Sequence, residues 1–471
     1  MELWPVIKSR PPITISEFAG VNRQDAFSIS PKEATTIKNL TSTKYPALSV
    51  KPGYSLLGTA IGTKILGLGV WKDTELHAVF NDSTWRKWTG AAWSAALASG
   101  LSTTAEWSFC NFQGNLAGIN LIGSNGVDAI KRYDGAAVSN LTTAPAGGNF
   151  IEQHDNRLYC AVGNQLKFST LRVADDWTTV NGNDSDPGTI VIETNNGETI
   201  NGLKAGSGHI IVGKPSTCHE LYGTSPSDFR KIDVAEDIGL INNKCVVNLG
   251  GITYFLDDTG IYQYSGGSRP DKKFSFRVQK YIDDINQTAK GTSCMGTDGL
   301  KLYVAIPVTS STAPDTILVF DPEYKTWNVW KDETPLFFAK MGANWYVGNV
   351  SGQVYQRTGT TANGTAISWN WVSKPFSAKS LAQKIRWYRA WIVANIPVGS
   401  TVSVYLSKLD TGDSDWTLVS TVTAAATLDD TRLGIPTTTV ANAQWIRVKI
   451  EGTGPCEIKE FTRDEQVMPL V

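Results

Sequence analysis

Between Trp71 and Gly348 the chain repeats one pattern. A short run alternates apolar and polar residues, breaks at Gly, Asp or Asn, and alternates again. The units are WKDTELHAVF, FQGNLAGIN, EQHDNRLYCAV, LKAGSGHIIV, NLGGITYFL, TDGLKLYVAI and KMGANWYVG. Alternation of period two around a turn former predicts a β-hairpin. A second signature follows each hairpin. Trp85–Leu97, WRKWTGAAWSAAL, and Ile130–Leu141, IKRYDGAAVSNL, align as apolar, two residues, aromatic, one residue, Gly-Ala-Ala, offset by 45 residues. Ile261, Tyr264 and Gly266 carry it again. Cys218/Leu221/Gly223, Ile317/Phe320/Pro322 and Val354/Arg357/Gly359 are weaker copies, and Leu166/Ser169 is the poorest. Further short segments, AAWSAAL, DDWTTV, KTWNVW and ISWNW, suggest a fourth strand per unit. A four-stranded unit recurring every ~40–50 residues predicts an all-β fold built on a β-propeller, here of six or seven blades.

Gly251–Gly267, GITYFLDDTGIYQYSGG, then reads as the fifth hairpin, with Asp257-Asp258-Thr259-Gly260 as its turn. Asp accepts local backbone hydrogen bonds and Gly supplies positive φ. Gly90, Gly135, Gly223, Gly266 and Gly359 recur after the third strand and are the expected blade-turn glycines. Two longer gaps have local causes. Asn181–Thr199 is a loop-and-strand insertion. Phe274–Ile285 places Phe274, Val278, Tyr281, Ile282 and Ile285 on one helical face.

The flanks differ from the repeats. Residues 1–62 form an N-terminal segment in which Ser30-Pro31-Lys32-Glu33 has the form of a capping box and predicts a short helix over about 31–40. YPALSVKPGYSLLG follows as extended chain with a Pro-Gly turn. Residues 63–378 are assigned to the propeller. Residues 380–471 contain KIRWYRAWIVAN, STVSVYLSKLD, DWTLVSTVT, QWIRVKIEG and CEIKEFTRD, which predict a C-terminal antiparallel β-sandwich.

Composition narrows the function. The 471 residues carry 43 Lys+Arg against 44 Asp+Glu, a net charge of -1, which argues against a dedicated nucleic-acid binder. No signal peptide is read at MELWPVIKSRPP, and no run approaches the ~18 apolar residues of a membrane span. The six cysteines are scattered without a CxxC pair, as expected for free buried thiols in a reducing cytoplasm. Asp175-Asp176, Asp257-Asp258, Asp283-Asp284 and Asp429-Asp430 are sequential pairs, whose side chains diverge on a strand, so none forms an acid/base dyad by itself. Asn183-Asp184-Ser185-Asp186 resembles part of a calcium loop without its spaced Gly or closing Glu. His77, His154, His209 and His219 show no metal spacing. No nucleophile elbow, phosphate loop or dinucleotide fingerprint is present. The expectation is no catalytic residues, no cofactor and no metal. Trp88, Tyr133 and Tyr264 recur at one place in the repeat, which predicts inter-blade packing, with sugar stacking as the rival role.

Three stretches carry a resemblance. They are Asn39-Leu40 followed by Leu48-x-Val50-Lys51-Pro52-Gly53, the Gly251–Gly267 blade with the helix from Phe274, and the closing hairpin Trp445–Arg463, WIRVKIEGTGPCEIKEFTR. Together they resemble the tail nozzle and packaged-DNA-stabilisation proteins of tailed bacteriophages, the tail tubular protein B or tail hub family. The resemblance implies a non-enzymatic structural virion protein in the phage tail, assembled in the host bacterial cytoplasm. It implies partners as well: a ring of roughly six copies, the portal and head-to-tail adaptor, other tail proteins, and double-stranded DNA passing without sequence preference. Trp4, Trp387, Tyr388 and Trp391, aromatics among charges in the flanks, are the expected docking residues. The rival readings are a carbohydrate-binding lectin or host-receptor adhesin and, behind it, a propeller glycosidase.

Overall fold

The computed structural model describes residues 12–193, 197–408, 415–440 and 442–468. Strand accounts for 48% and helix for 4% of it, so the all-β expectation holds. The chain divides into two compact units. One is 54–318 with 332–358; the other is 1–53, 319–331 and 359–471.

The first unit is the propeller. Its innermost strands are Ile65–Trp71, Ser108–Phe112, Phe150–His154, Gly202–Ala205, Val246–Leu249, Cys294–Thr297 and Pro335–Met341. Each packs against the next, and the last packs against the first, so the described residues form a closed ring of seven blades. The seven repeat signatures are the third strands of these blades, from Thr84–Lys87 to Val354–Arg357. Closure uses a distant strand. Tyr54–Leu56 pairs antiparallel with Val354–Arg357 and supplies the outer strand of the seventh blade.

Blade strands are apolar on both faces because each blade lies between two others. In the third blade Leu158 and Cys160 pack toward the second, while Tyr159 and Ala161 pack toward the fourth. Leu336, Phe337, Tyr346 and Val354 of the seventh blade share a core with Leu57, Ile65, Leu76 and Phe80 of the first. A buried ion pair stands within the seventh blade, off the strand face that carries Val354. Arg357 donates from Nη1 to Glu333 Oε1 at 2.8 Å and from Nη2 to Oε2, and Tyr355 donates its hydroxyl to Oε2 at 2.5 Å. Burial alone would pull Arg357 down, but the adjacent carboxylate overrides it and raises the guanidinium above its ordinary value.

The second unit holds the sandwich. One sheet runs Leu40–Thr41, Leu48–Val50, Glu457–Val467, Ile385–Ile396, Leu428–Ile435, with Ile13–Ile15 also on Glu457–Val467. The other runs Ala34–Lys38, Ser368–Ser373, Trp445–Thr453, Thr401–Ser407, Thr417–Thr423. Phe376, Trp387 and Phe461 meet in its core with ring centroids 5.8–5.9 Å apart.

Four expectations are corrected. The helix over 31–40 is instead the strand Ala34–Lys38, paired with Ser368–Ser373. Half of the Ser30/Glu33 box forms: Ser30 N donates to Glu33 Oε2 at 2.9 Å, while Glu33 N bonds the Ser30 carbonyl at 3.0 Å and Ser30 Oγ accepts from Lys32 N at 3.3 Å. It does not propagate, because β-branched Thr35, Thr36 and Ile37 follow, and pairing with Trp371 buries Ile37. Second, the boundaries 1–62, 63–378 and 380–471 shift: the N-terminal segment and residues 359–378 belong to the sandwich unit, and Tyr54–Leu56 to the propeller. ISWNW lies on the sandwich strand Ser368–Ser373 and is not a blade strand. Third, DDWTTV is loop, and the third blade takes Gly188–Val191 from the insertion as its outer strand. Fourth, two blades have three regular strands each. Single bridges, Trp85 to Ala98, Trp88 to Trp93 and Gln263 to Asp271, stand at their outer edges. The segment from Phe274 forms a 3-10 turn, Lys273–Val278, then a short α-helix, Gln279–Asp283, burying Val278 and Ile282.

All five blade-turn glycines have positive φ, from 67° at Gly359 to 108° at Gly135. At Gly135 a Cβ would also come within 2.9 Å of the Trp71 ring. Gly135→Val is therefore expected to cost about 2–3 kcal/mol in denaturant unfolding, against about 1 kcal/mol for Gly90→Ala, whose Cβ meets nothing within 4 Å. Arg357→Met leaves Glu333 charged and unpaired and is expected to cost about 3–5 kcal/mol, with Glu333→Gln added to it recovering part. Equal stability of the single and double variants would show that the pair does not hold the blade.

Candidate functional site

The Asp257-Asp258 pair is a turn. Asp257 and Gly260 pair across a two-residue hairpin loop. Asp257 Oδ2 accepts from Thr259 N at 3.0 Å and Thr259 Oγ1 at 2.7 Å, and Oδ1 from Gly239 N at 3.0 Å. Asp258 pairs with Lys290 at 2.5 Å on the surface. Gly260 does not take positive φ as expected. It is needed for close approach, because a Cβ there would meet Lys272 Cδ at 2.8 Å.

Each histidine is a packed structural residue. His77 is fully buried, and Trp85 Nε1 donates to its Nδ1 at 3.1 Å. An indole N–H only donates, so Nδ1 carries a lone pair and the proton sits on Nε2, 3.5 Å from Glu75 Oε2. Burial holds His77 down at about 4, against a smaller upward pull from Glu75. His219 is buried between Thr217 Oγ1 at 2.9 Å and Asp233 Oδ1 at 2.7 Å. Burial lowers it, with Asp233 opposing. The Thr217–His219–Asp233 chain has the connectivity of a nucleophile relay. Thr217 is itself buried, so the chain acts as a strand staple. His154 lies 3.1 Å from Asp155, and His209 lies 3.3 Å from the buried Glu220.

The recurring aromatics pack between blades. Tyr133 of the second blade donates to Glu75 of the first at 2.9 Å, and Tyr264 of the fifth to Glu220 of the fourth at 2.7 Å. Trp88 packs in the core shared by the first and seventh blades.

The loop that resembles a calcium site is organised by an arginine that sequence reasoning missed. Arg157 is fully buried. It donates to the carbonyls of Asp184, Ser185 and Asp186 at 2.6–3.1 Å, to Ser169 O at 2.7 Å and to Thr224 O at 3.0 Å. Asp186 Oδ2 accepts three backbone N–H groups of the loop at 2.7–3.0 Å. The signal was a charge at a core position of EQHDNRLYCAV.

The expected docking aromatics separate. Trp4 lies outside the described residues. Trp387 is 2% exposed and belongs to the sandwich core, so docking through it is excluded. Tyr388 is 51% exposed because strand alternation sets it opposite the buried Trp387, and a bulge between Trp387 and Arg389 then shifts the phase so that Ala390 rather than Arg389 faces inward. Trp391 is half-buried beneath Arg432, whose guanidinium lies 3.8 Å from the ring. The motif residues of the opening segment have defined tasks in the same unit. Asn39 takes φ 59°, accepts from Lys331 N at 2.8 Å and donates to Ser368 O at 2.8 Å. Lys51 Nζ donates to Lys331 O at 2.8 Å.

A cavity of about 250 Å³ lies among the inner strands of the ring. Trp107, Phe109, Phe338 and Trp345 are among its aromatic lining, and Glu152, Lys204, Asn243, Lys244 and Lys340 among its polar lining. Glu152 pairs with Lys204 at 3.0 Å. Glu106 takes both Lys244 at 2.7 Å and Lys64 at 3.1 Å. Burial pushes Glu106 up, but the two ammonium groups outweigh it and hold the carboxyl below its ordinary value. Among the described residues no group of three His, Cys, Asp or Glu is placed to hold a metal.

No family model matches the sequence, and no curated protein matches it. Solved structures align with it at low identity. YCF48 bound to D1 peptide aligns with TM-score 0.42 and 10% identity over 65% of this chain and 99% of that one. BamB from Moraxella catarrhalis aligns with TM-score 0.41 and 11% identity over 69% and 93%. The WD40 propeller domain of Doa1 gives 0.40 and 11% over 64% and 96%.

The buried neutral His77 generates a pH dependence. Its folded pKa of about 4 lies below the ~6.5 of an unfolded histidine, so between these values the unfolded chain binds more protons. Its contribution is complete above pH ~6.5 and lost as pH falls through about 4, up to about 3 kcal/mol. Unfolding free energies at pH 7 and 4.5 should converge more closely for His77→Gln than for the native chain. An unchanged difference would show that His77 does not titrate in this way.

Proposed function

We propose that this chain is a structural protein of a tailed-bacteriophage virion, a tail nozzle or hub subunit that extends the DNA channel below the portal and adaptor and retains the packaged genome. The observation that carries the reading is a meeting of its two flanking motifs. The opening segment and the closing hairpin are some 400 residues apart in the chain, yet Leu48 pairs with Ile458 and Ser49 with Glu457. Lys44 adds an ion pair to Glu457 at 2.8 Å. Two of the three shared stretches are thus one sheet, which favours a single common element over two chance matches.

The physical setting is compatible with that role. A closed propeller is rigid, and rigid subunits in a ring make a pipe. The cavity within the propeller is too small for a duplex, so the DNA path lies between copies around the ring axis. A net charge of -1 keeps phosphate affinity low enough for DNA to move. Tyr388, with Arg386 over its ring at 5.1 Å, and Trp391 with Arg432 are the docking residues we favour toward portal, adaptor or tail partners. The buried ionisable groups serve packing, consistent with a protein that does no chemistry.

Particles from a strain lacking this gene are expected to package DNA and then lose it. The DNA content of purified particles decides the matter. Full particles that fail only to bind cells would reject the nozzle and favour the adhesin, and glycan hydrolysis by the purified chain would favour the glycosidase.

A further inference from the structure

The cavity at the centre of the ring carries more positive charge than its own carboxylates balance. Lys204 is matched by Glu152. Lys244 and Lys64 share the single carboxylate of Glu106. Lys340, exposed at the cavity edge, makes no ion pair among the described residues. Three lysines, Lys204, Lys244 and Lys340, line about 250 Å³ of space together with Glu152, and with Lys64 and Glu106, which stand outside the lining, the cluster sets four lysines against two glutamates. The remaining lining supplies donors and aromatic rings. Asn243 and Ser108 are polar, and Trp107 and Trp345 each carry an indole N–H without a hydrogen-bond partner. Phe109 and Phe338 add two further rings. A charge surplus gathered in a concave site is screened less than one on open surface, and it draws in a counter-ion.

We propose that the central cavity of the propeller is a binding site for a small dianionic oxyanion, held by Lys204, Lys244 and Lys340. The charge of such a ligand equals the surplus. A phosphate or a short dicarboxylate fits the volume, whereas drug-sized ligands occupy pockets of ~300–1,000 Å³. The ligand would touch the inner strands of several blades at once, so its binding would stabilise the closed ring. The inference does not depend on the role proposed above.

The test titrates the full chain with inorganic phosphate and, separately, succinate, against sodium chloride of matched ionic strength, by calorimetry and thermal melting. A saturable rise in melting temperature beyond the chloride control is expected. Binding of phosphate alone would identify a phosphate site, and binding of both a general oxyanion site. Two variants should move affinity in opposite directions. Lys340→Met, at an exposed position, should weaken binding about tenfold. Glu152→Gln, which enlarges the surplus while leaving Lys204 an acceptor, should tighten it about tenfold. A merely structural lesion would not tighten binding. Absence of saturable binding by either anion, or affinity unchanged in both variants, would overturn the proposal.

Discussion

A propeller blade has two apolar faces, so no blade can end the stack without exposing one of them. Ring closure is therefore the constraint on which this unit depends. It explains why Leu158 and Cys160 face one neighbour while Tyr159 and Ala161 face the other. It also explains the pairing of Tyr54–Leu56 with Val354–Arg357, which locks the last blade with a strand made at the other end of the unit. The buried Glu333–Arg357 pair stands on that closing blade. A charge pair of this kind specifies which strand ends the ring more than it adds stability, since an apolar pair of the same shape would pack as well.

The same economy governs the other buried polar groups. Arg157 satisfies five carbonyls that irregular loops leave without partners. Tyr133 and Tyr264 bridge successive blades through carboxylates. His77 and His219 are fixed between donors and acceptors of neighbouring strands.

Two of the three stretches singled out in the sequence lie in the sandwich unit, and their residues have structural tasks there. Asn39 occupies a left-handed backbone position that asparagine tolerates better than most side chains, and its amide ties three segments together. Lys51 fixes the chain after Trp330 through Lys331. The role in a virion rests on the proposal made for it.

Local chemistry was legible in the sequence because it depends on neighbours a few residues apart. Alternation of period two marked the hairpins, and the aromatic–glycine signature located the third strand of all seven blades. Positive φ at Gly90, Gly135, Gly223, Gly266 and Gly359 follows from turn geometry alone. Partner choice was not legible. Ser30 to Ile37 held a valid helix start and a β-branched run together, and only the pairing of Ile37 with Trp371 decided between them. Tyr54–Leu56 and Ser368–Ser373 have strand patterns that fit either unit, and tertiary pairing assigned them. Trp387 and Tyr388 fall on opposite faces by strand alternation, whereas the bulge that turns Trp391 off the inward phase is announced by no local pattern. Arg157 and the lysines of the cavity gain meaning only when blades far apart in the chain converge. The free energy of those contacts is set by burial and distance, which the fold creates.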